Sequence, residues 1–230
     1  MWDWTNDKEI YHKFCGLSLS ERTILFIWAT LPLVKLSLTG EPSRAFVNLA
    51  AFLSVFGLTY DSLYAVSCLF SAYILVANWD LLVTIFRVPK CDLAFFKSWA
   101  GISFYTTLLI LGLISAYLFW KKPEILSAMR GLSNHAQVPD WIFSALMEEI
   151  TDRFVIYYSM VLIFGRSGGF LFSMLVFALL HNYNYAYMLN MMLAGSLHIM
   201  LLLWSGSLSL PLLVHILSNS ALFFWFKFTA

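Results

Sequence analysis

Long apolar runs separated by short polar breaks dominate this chain of 230 residues. A helix that crosses a membrane needs about 20 largely apolar residues, and runs of this kind predict helices along most of the sequence. They lie at about residues 23–38, 45–60, 62–77, 99–120, 141–164, 170–182, 186–204 and 208–226. The third can continue as an interfacial helix to Phe86 after breaks at Asn78 and Asp80. The pattern predicts an all-α fold, a polytopic membrane helix bundle with about eight transmembrane helices.

Composition agrees with a membrane location. Hydrophobic residues make up 60% of the chain and charged residues only 12%, whereas soluble domains have about 25% charged residues. We therefore expect a multi-pass integral membrane protein whose surroundings are the lipid bilayer, in a bacterial cell membrane. The net charge of +1 provides no basic field for nucleic acid. Oligomeric state is not indicated by any pattern in the sequence.

The glutamate-bearing helix is framed by turn signals. Asp140 follows Pro139 and is predicted to be its N-cap, and the run Gly165–Gly169 predicts a tight turn at its end. Within the helix, Met147–Arg153 reads M-E-E-I-T-D-R. Ionisable groups are costly in a membrane helix and usually face a partner or a site.

The two adjacent glutamates are expected to point in different directions. Glu149 and Arg153 are four residues apart, so they share one helix face and can pair. Glu148 is rotated by about 100° from Glu149 and can point into a cavity. A carboxylate in an apolar setting accepts a proton more readily than one in water, which suits a general base. The alternative is that these charges are solvated at the membrane-surface end of a helix.

Two histidines further along have companions at helical spacing. His181 follows Phe177 by one turn, and His215 precedes Asn219 by one turn. An imidazole and an amide on one face offer two donors to one point, as an oxyanion requires. The alternatives are a structural histidine at 181 and an interhelical hydrogen-bond pair at 215 and 219. His198 lacks such a companion, and we interpret it as structural.

Taken in order, these positions form three motifs, E-E-x-x-x-R, F-x-x-x-H and H-x-x-x-N. The residues that match them are Glu148, Glu149, Arg153, Phe177, His181, His215 and Asn219. The set resembles the CPBP family (CAAX proteases and bacteriocin-processing enzymes), which are glutamate-dependent intramembrane endopeptidases. The resemblance covers about residues 140–228 and divides the chain into three parts. These are an N-terminal interfacial segment (1–22), N-terminal transmembrane helices with a connecting loop (23–138), and a catalytic membrane core with the three motifs (139–230).

The resemblance implies a role for each matched position. Glu148 with His181 would bind and activate the attacking water, and His215 with Asn219 would stabilise the oxyanion. The supporting residues would be Glu149 and Arg153, which position the first glutamate and help to hold the substrate, and Phe177. The substrate would be a membrane-associated protein or peptide, cleaved in a C-terminal tail, a leader or an anchor.

Three other hypotheses remain open at the level of sequence. One glutamate and two histidines would also suit zinc, although the chain has no H-E-x-x-H and the resemblance implies no metal and no other cofactor. Gly165-Arg166-Ser167-Gly168 matches the G-x-S-G of rhomboid serine proteases, with His215 on a later helix. A non-catalytic membrane protein, an immunity factor or a transporter-like protein, would also keep charged residues and histidines within its helices.

Overall fold

The computed structural model describes residues 6–39, 60–89, 138–181 and 185–229, together with single helical positions between 102 and 121. The predicted helices at 45–60 and 99–120 therefore lie wholly or largely outside the described residues. Every regular element within the described ranges is a helix. The all-α fold predicted from the sequence is thus confirmed for this part of the chain.

Most of the described helices follow the apolar runs closely, whereas α1 lies in the predicted N-terminal interfacial segment. They are α1 (Lys8–Gly16), α2 (Leu19–Thr39), α3 (Tyr60–Ala77), α4 (Trp79–Ile85), α5 (Val138–Glu148), a π-helical segment (Glu149–Ile156), α6 (Tyr157–Leu180), α7 (Tyr185–Ser205) and α8 (Ser209–Thr229). The break at Asn78 and the short helix after it were predicted. The N-cap at Asp140 was wrong, because α5 already begins at Val138. Pro139 fits the first turn of that helix, where its missing N–H has no intrahelical partner to lose.

Helix α6 is folded back on itself at Gly165. Its φ of 71° and ψ of −179° are not helical, and this left-handed φ is readily adopted only by glycine. The arms 157–164 and 166–180 lie antiparallel, with Phe164 stacked on Phe172 at 5.0 Å between ring centroids. The reversal lies at the first residue of the predicted turn, so the second arm is helical four residues earlier than the predicted start at Phe170.

Two stretches of the described residues are long and apolar enough to cross a membrane. They are Ser144–Leu180, which has 37 residues and contains the reversal at Gly165, and Tyr187–Ser205. Lys8–Gly16 and Leu19–Leu31 pass the same test together, but the chain bends by 112° between them. An integral membrane protein is therefore supported, whereas the number of about eight spans stays a prediction.

Helix α1 packs into the bundle through its apolar side. Ile10 and Phe14 are fully buried, and Phe14 makes an edge contact with Phe154 at 5.3 Å between ring centroids. Just before the helix, the buried carboxylate of Asp7 accepts hydrogen bonds from Arg166 at 2.9 Å. The N-terminal segment thus contacts both the π-helical segment, at Phe154, and the reversal of α6, at Arg166.

The turn between α7 and α8 is fixed by a close backbone approach. Gly206 has a φ of +61°, and a Cβ atom there would overlap the carbonyl oxygen of Asn6. Arg87 donates to the carbonyl of Gly206 at 3.0 Å. These contacts hold the turn between α7, which carries His198, and α8, which carries His215, against Asn6 and Arg87.

Candidate active site

The π-helical segment buries three ionisable side chains. Glu149, Asp152 and Arg153 are each 0% exposed, so the hypothesis of a solvated helix end is wrong. π-Helices are rare and occur frequently at functional sites. Here Ser173, on the second arm of α6, donates a hydrogen bond from its hydroxyl to the carbonyl oxygen of Asp152.

Arg153 lies between two carboxylates and an aromatic ring. Its Nε is 3.8 Å from Oε2 of Glu149, so the predicted pair is confirmed as a contact between fully buried side chains. Its Nη1 is 3.4 Å from Oδ2 of Asp152, an acid to which the sequence motifs gave no role. The guanidinium carbon is 3.8 Å from the centroid of the Phe177 ring, a cation–π distance.

One carboxylate oxygen of Glu149 lies within hydrogen-bond distance of two histidines. Nδ1 of His198 is 2.6 Å and Nδ1 of His215 is 2.8 Å from Oε1 of Glu149. The two rings are 4.9 Å apart and nearly perpendicular, at 77°. His198 therefore has a polar companion, Glu149, which lies 49 residues away in sequence and not at helical spacing on the same helix.

Glu148 faces two other imidazole nitrogens. Its Oε1 accepts a hydrogen bond from Ser144 at 2.6 Å, one helical turn earlier. Its Oε2 is buried and has no hydrogen-bond partner among the described residues. That oxygen is 3.6 Å from Nε2 of His215 and 3.8 Å from Nε2 of His181. The predicted grouping of Glu148, His181 and His215 is therefore present in the structure.

Hydrogen bonds on the far side of each ring define which nitrogen carries the proton. Nδ1 of His181 lies 2.8 Å from the carbonyl oxygen of Phe177, and a carbonyl only accepts, so Nδ1 donates. Nδ1 of His215 likewise donates to the Glu149 carboxylate. In the neutral rings both Nε2 atoms then carry lone pairs, and they face the lone pairs of Glu148. Their separations exceed an ordinary hydrogen bond, so neither nitrogen is bonded directly to Glu148.

Asn219 is the motif residue for which the described part of the chain shows no partner. It lies one turn after His215 on α8 and is partly buried. No hydrogen bond links it to the part of the chain that the structure describes. Its role at an oxyanion stays a prediction.

The residue types of the buried cluster would suit a metal, but the distances fit hydrogen bonds better. Within the described ranges, Glu149, His198 and His215 offer ligand atoms that all lie within 4.8 Å of one another. Zinc bonded at about 2.0–2.1 Å in a tetrahedron would hold its ligands about 3.3 Å apart. The two nitrogen–oxygen distances of 2.6 and 2.8 Å are shorter than that and are ordinary for N–H···O bonds.

The serine of the rhomboid-like motif lies away from these groups. Ser167 is exposed, two residues after the reversal at Gly165. At 1.5 Å per residue along the second arm, it lies about 15 Å from Phe177. The structure therefore provides no Ser167–His215 contact among its described residues.

Comparison with protein families identifies the same region. Residues 136–221 match a family described as type II CAAX prenyl endopeptidase Rce1-like. This match agrees with the resemblance to the CPBP family that the motifs indicate. All seven motif residues lie within the matched range. No curated protein and no solved structure matches the chain.

Proposed function

We propose that this protein is an intramembrane endopeptidase in which Glu148 activates the attacking water. The Rce1-like match supports an endopeptidase. The observation that carries the glutamate mechanism is the buried Oε2 of Glu148. It has no hydrogen-bond partner among the described residues and faces Nε2 of both His181 and His215. A water beside these atoms would donate one hydrogen to Glu148 and the other to Nε2 of His181, whose Nδ1 donates to the carbonyl oxygen of Phe177.

In the proposed reaction, this water attacks the carbonyl carbon of the scissile peptide bond. One water proton passes to Glu148 as the new C–O bond forms, which makes Glu148 the general base. The C–N bond then breaks, and the proton passes from Glu148 to the departing amine. The products are a carboxylic acid and an amine, and no other reactant is required.

His215 is proposed to stabilise the oxyanion formed during the attack. In the neutral ring Nδ1 donates to Glu149 and Nε2 carries a lone pair. For this role Nε2 must therefore first take up a proton from solvent water, which makes the ring an imidazolium. The buried carboxylate of Glu149 offsets the charge of such an imidazolium, as the aspartate does in serine protease triads. Asn219, one turn further along α8, is proposed as the second donor.

For the substrate, we propose a prenylated C-terminal tail of a membrane-associated protein. The support is the description of the matched family, CAAX prenyl endopeptidase. The two other candidates, a leader peptide and a membrane anchor without a prenyl group, are distinguished by the assay below.

The test uses the purified full-length protein in lipid nanodiscs with farnesylated and unmodified versions of one C-terminal peptide. Glu148→Ala is expected to lower the cleavage rate by about 10²–10⁴, the contribution of a positioned general base. Ser167→Ala, at the exposed turn, is the matched control and is expected to cleave as wild type. Wild-type rates for Glu148→Ala would refute the mechanism. Cleavage of only the unmodified peptide would refute the substrate, and loss with a chelator followed by recovery with zinc would favour the metal hypothesis.

A further inference from the structure

We propose that His198 is a positioning residue, which orients His215 for the reaction by holding the carboxylate of Glu149 between them. This inference rests on the function proposed above and adds a residue that none of the three motifs contains. The Nδ1 atoms of His198 and His215 are both directed at the same oxygen, Oε1 of Glu149.

The arrangement joins three elements of the core. Glu149 comes from the π-helical segment, His198 from α7 and His215 from α8. All three side chains are buried, so water does not compete freely for their hydrogen bonds. Two donors on one oxygen restrict the rotation of the carboxylate more than one donor could.

The other carboxylate oxygen shows why the second donor matters. Oε2 of Glu149 has no hydrogen-bond partner among the described residues, and the nearest cation is Nε of Arg153 at 3.8 Å. Without His198, the carboxylate is free to rotate toward that arginine and shorten the ion pair. His215 would then lose the acceptor that fixes its proton on Nδ1. Its Nε2 would no longer be directed at Glu148 with a defined protonation state.

Three substitutions of His198 separate this role from simple packing. In His198→Asn the side-chain nitrogen lies near the position of Nδ1 and can still donate to Glu149. In His198→Gln the amide extends toward the position of Nε2, and His198→Leu has no donor. For Leu we expect kcat to fall about tenfold to hundredfold, the scale of a hydrogen bond to a charged group, with KM unchanged. Asn should recover most of the loss, whereas Gln should not.

Equal kcat values for wild type, Leu and Gln would overturn the proposal. So would losses that only follow the amount of folded protein, measured by melting of each variant in nanodiscs. A KM effect of the same size as the kcat effect would indicate substrate binding instead. Stoichiometric zinc binding that His198→Asn abolishes would assign the cluster to a metal and would also overturn it.

A second readout does not depend on cleavage. In ¹⁵N-histidine-labelled protein, the ring nitrogen shifts of His215 should indicate a proton on Nδ1 in wild type and a mixture of both tautomers in His198→Leu. The exposed His12 on α1 is the internal control and should not change. If Glu148→Ala retained cleavage while His215 responded in this way, only the proposed function would fail. If Glu148 proved essential while His215 did not respond, only the role of His198 would fail.

Discussion

Removing the buried arginine should destabilise the protein strongly, even though Arg153 takes no part in bond chemistry. Its side chain is 0% exposed and is the cation beside Glu149, at 3.8 Å. At an effective dielectric constant of about 20, unit charges about 4 Å apart attract by about 4 kcal/mol. Breaking a buried pair by removing one partner costs about 3–5 kcal/mol, because the other charge is left uncompensated. Arg153→Ala should therefore lose about 3–5 kcal/mol of stability.

The measurement is the melting temperature of the solubilised protein, together with peptide cleavage. For a chain of this length, a loss of 1 kcal/mol lowers Tm by about 2–4 °C, so Arg153→Ala should melt roughly 6–20 °C lower than wild type. Arg153→Met controls for volume, since it fills most of the space without a charge. We expect Met to melt nearly as low as Ala because the missing charge, not the cavity, dominates the loss.

Arg153→Lys keeps the charge but should rescue only in part. Lysine lacks the planar fork of arginine, which here lies 3.8 Å from the centroid of the Phe177 ring. Wild-type melting and cleavage in Arg153→Ala would refute the account of a buried ion pair. Full recovery by Met would instead assign the loss to packing.

Two further predictions concern the same fold. The exchange Glu149→Arg with Arg153→Glu keeps the pair of opposite charges, but it should recover less than half of the Tm that either single substitution loses. The reason is that an arginine at 149 would face the donors of His198 and His215. A wild-type Tm for the exchange would contradict this. Gly206→Ala should be destabilised by more than about 1 kcal/mol, since its left-handed φ and its contact with Asn6 both oppose a Cβ, whereas the control Gly16→Ala has open space and should be neutral in thermal melting.

The sequence was sufficient for features that depend on local spacing. The apolar runs predicted most described helices within a few residues, because a lipid-facing helix must be apolar over most of its length. The pair of Glu149 and Arg153 followed from i,i+4 spacing, and Ser144 lies at the same spacing before Glu148, so its hydrogen bond could have been inferred in the same way. Asp140 was assigned as a cap because its residue type fits, but a helix can begin earlier when Pro139 suits its first turn.

Contacts between helices were beyond such reasoning. Whether His198 meets Glu149 depends on the rotation of α7 about its axis and on the backbone of the π-helical segment, and neither is specified by spacing within one helix. The motif residues gave Glu149 a single partner, Arg153, whereas packing gives it two histidines as well. Burying a carboxylate is costly unless hydrogen-bond donors reach it, and here the donors come from the neighbouring helices α7 and α8. The second glutamate thus joins the arginine on its own helix to the histidines of α7 and α8, which is why one substitution there should affect both stability and cleavage.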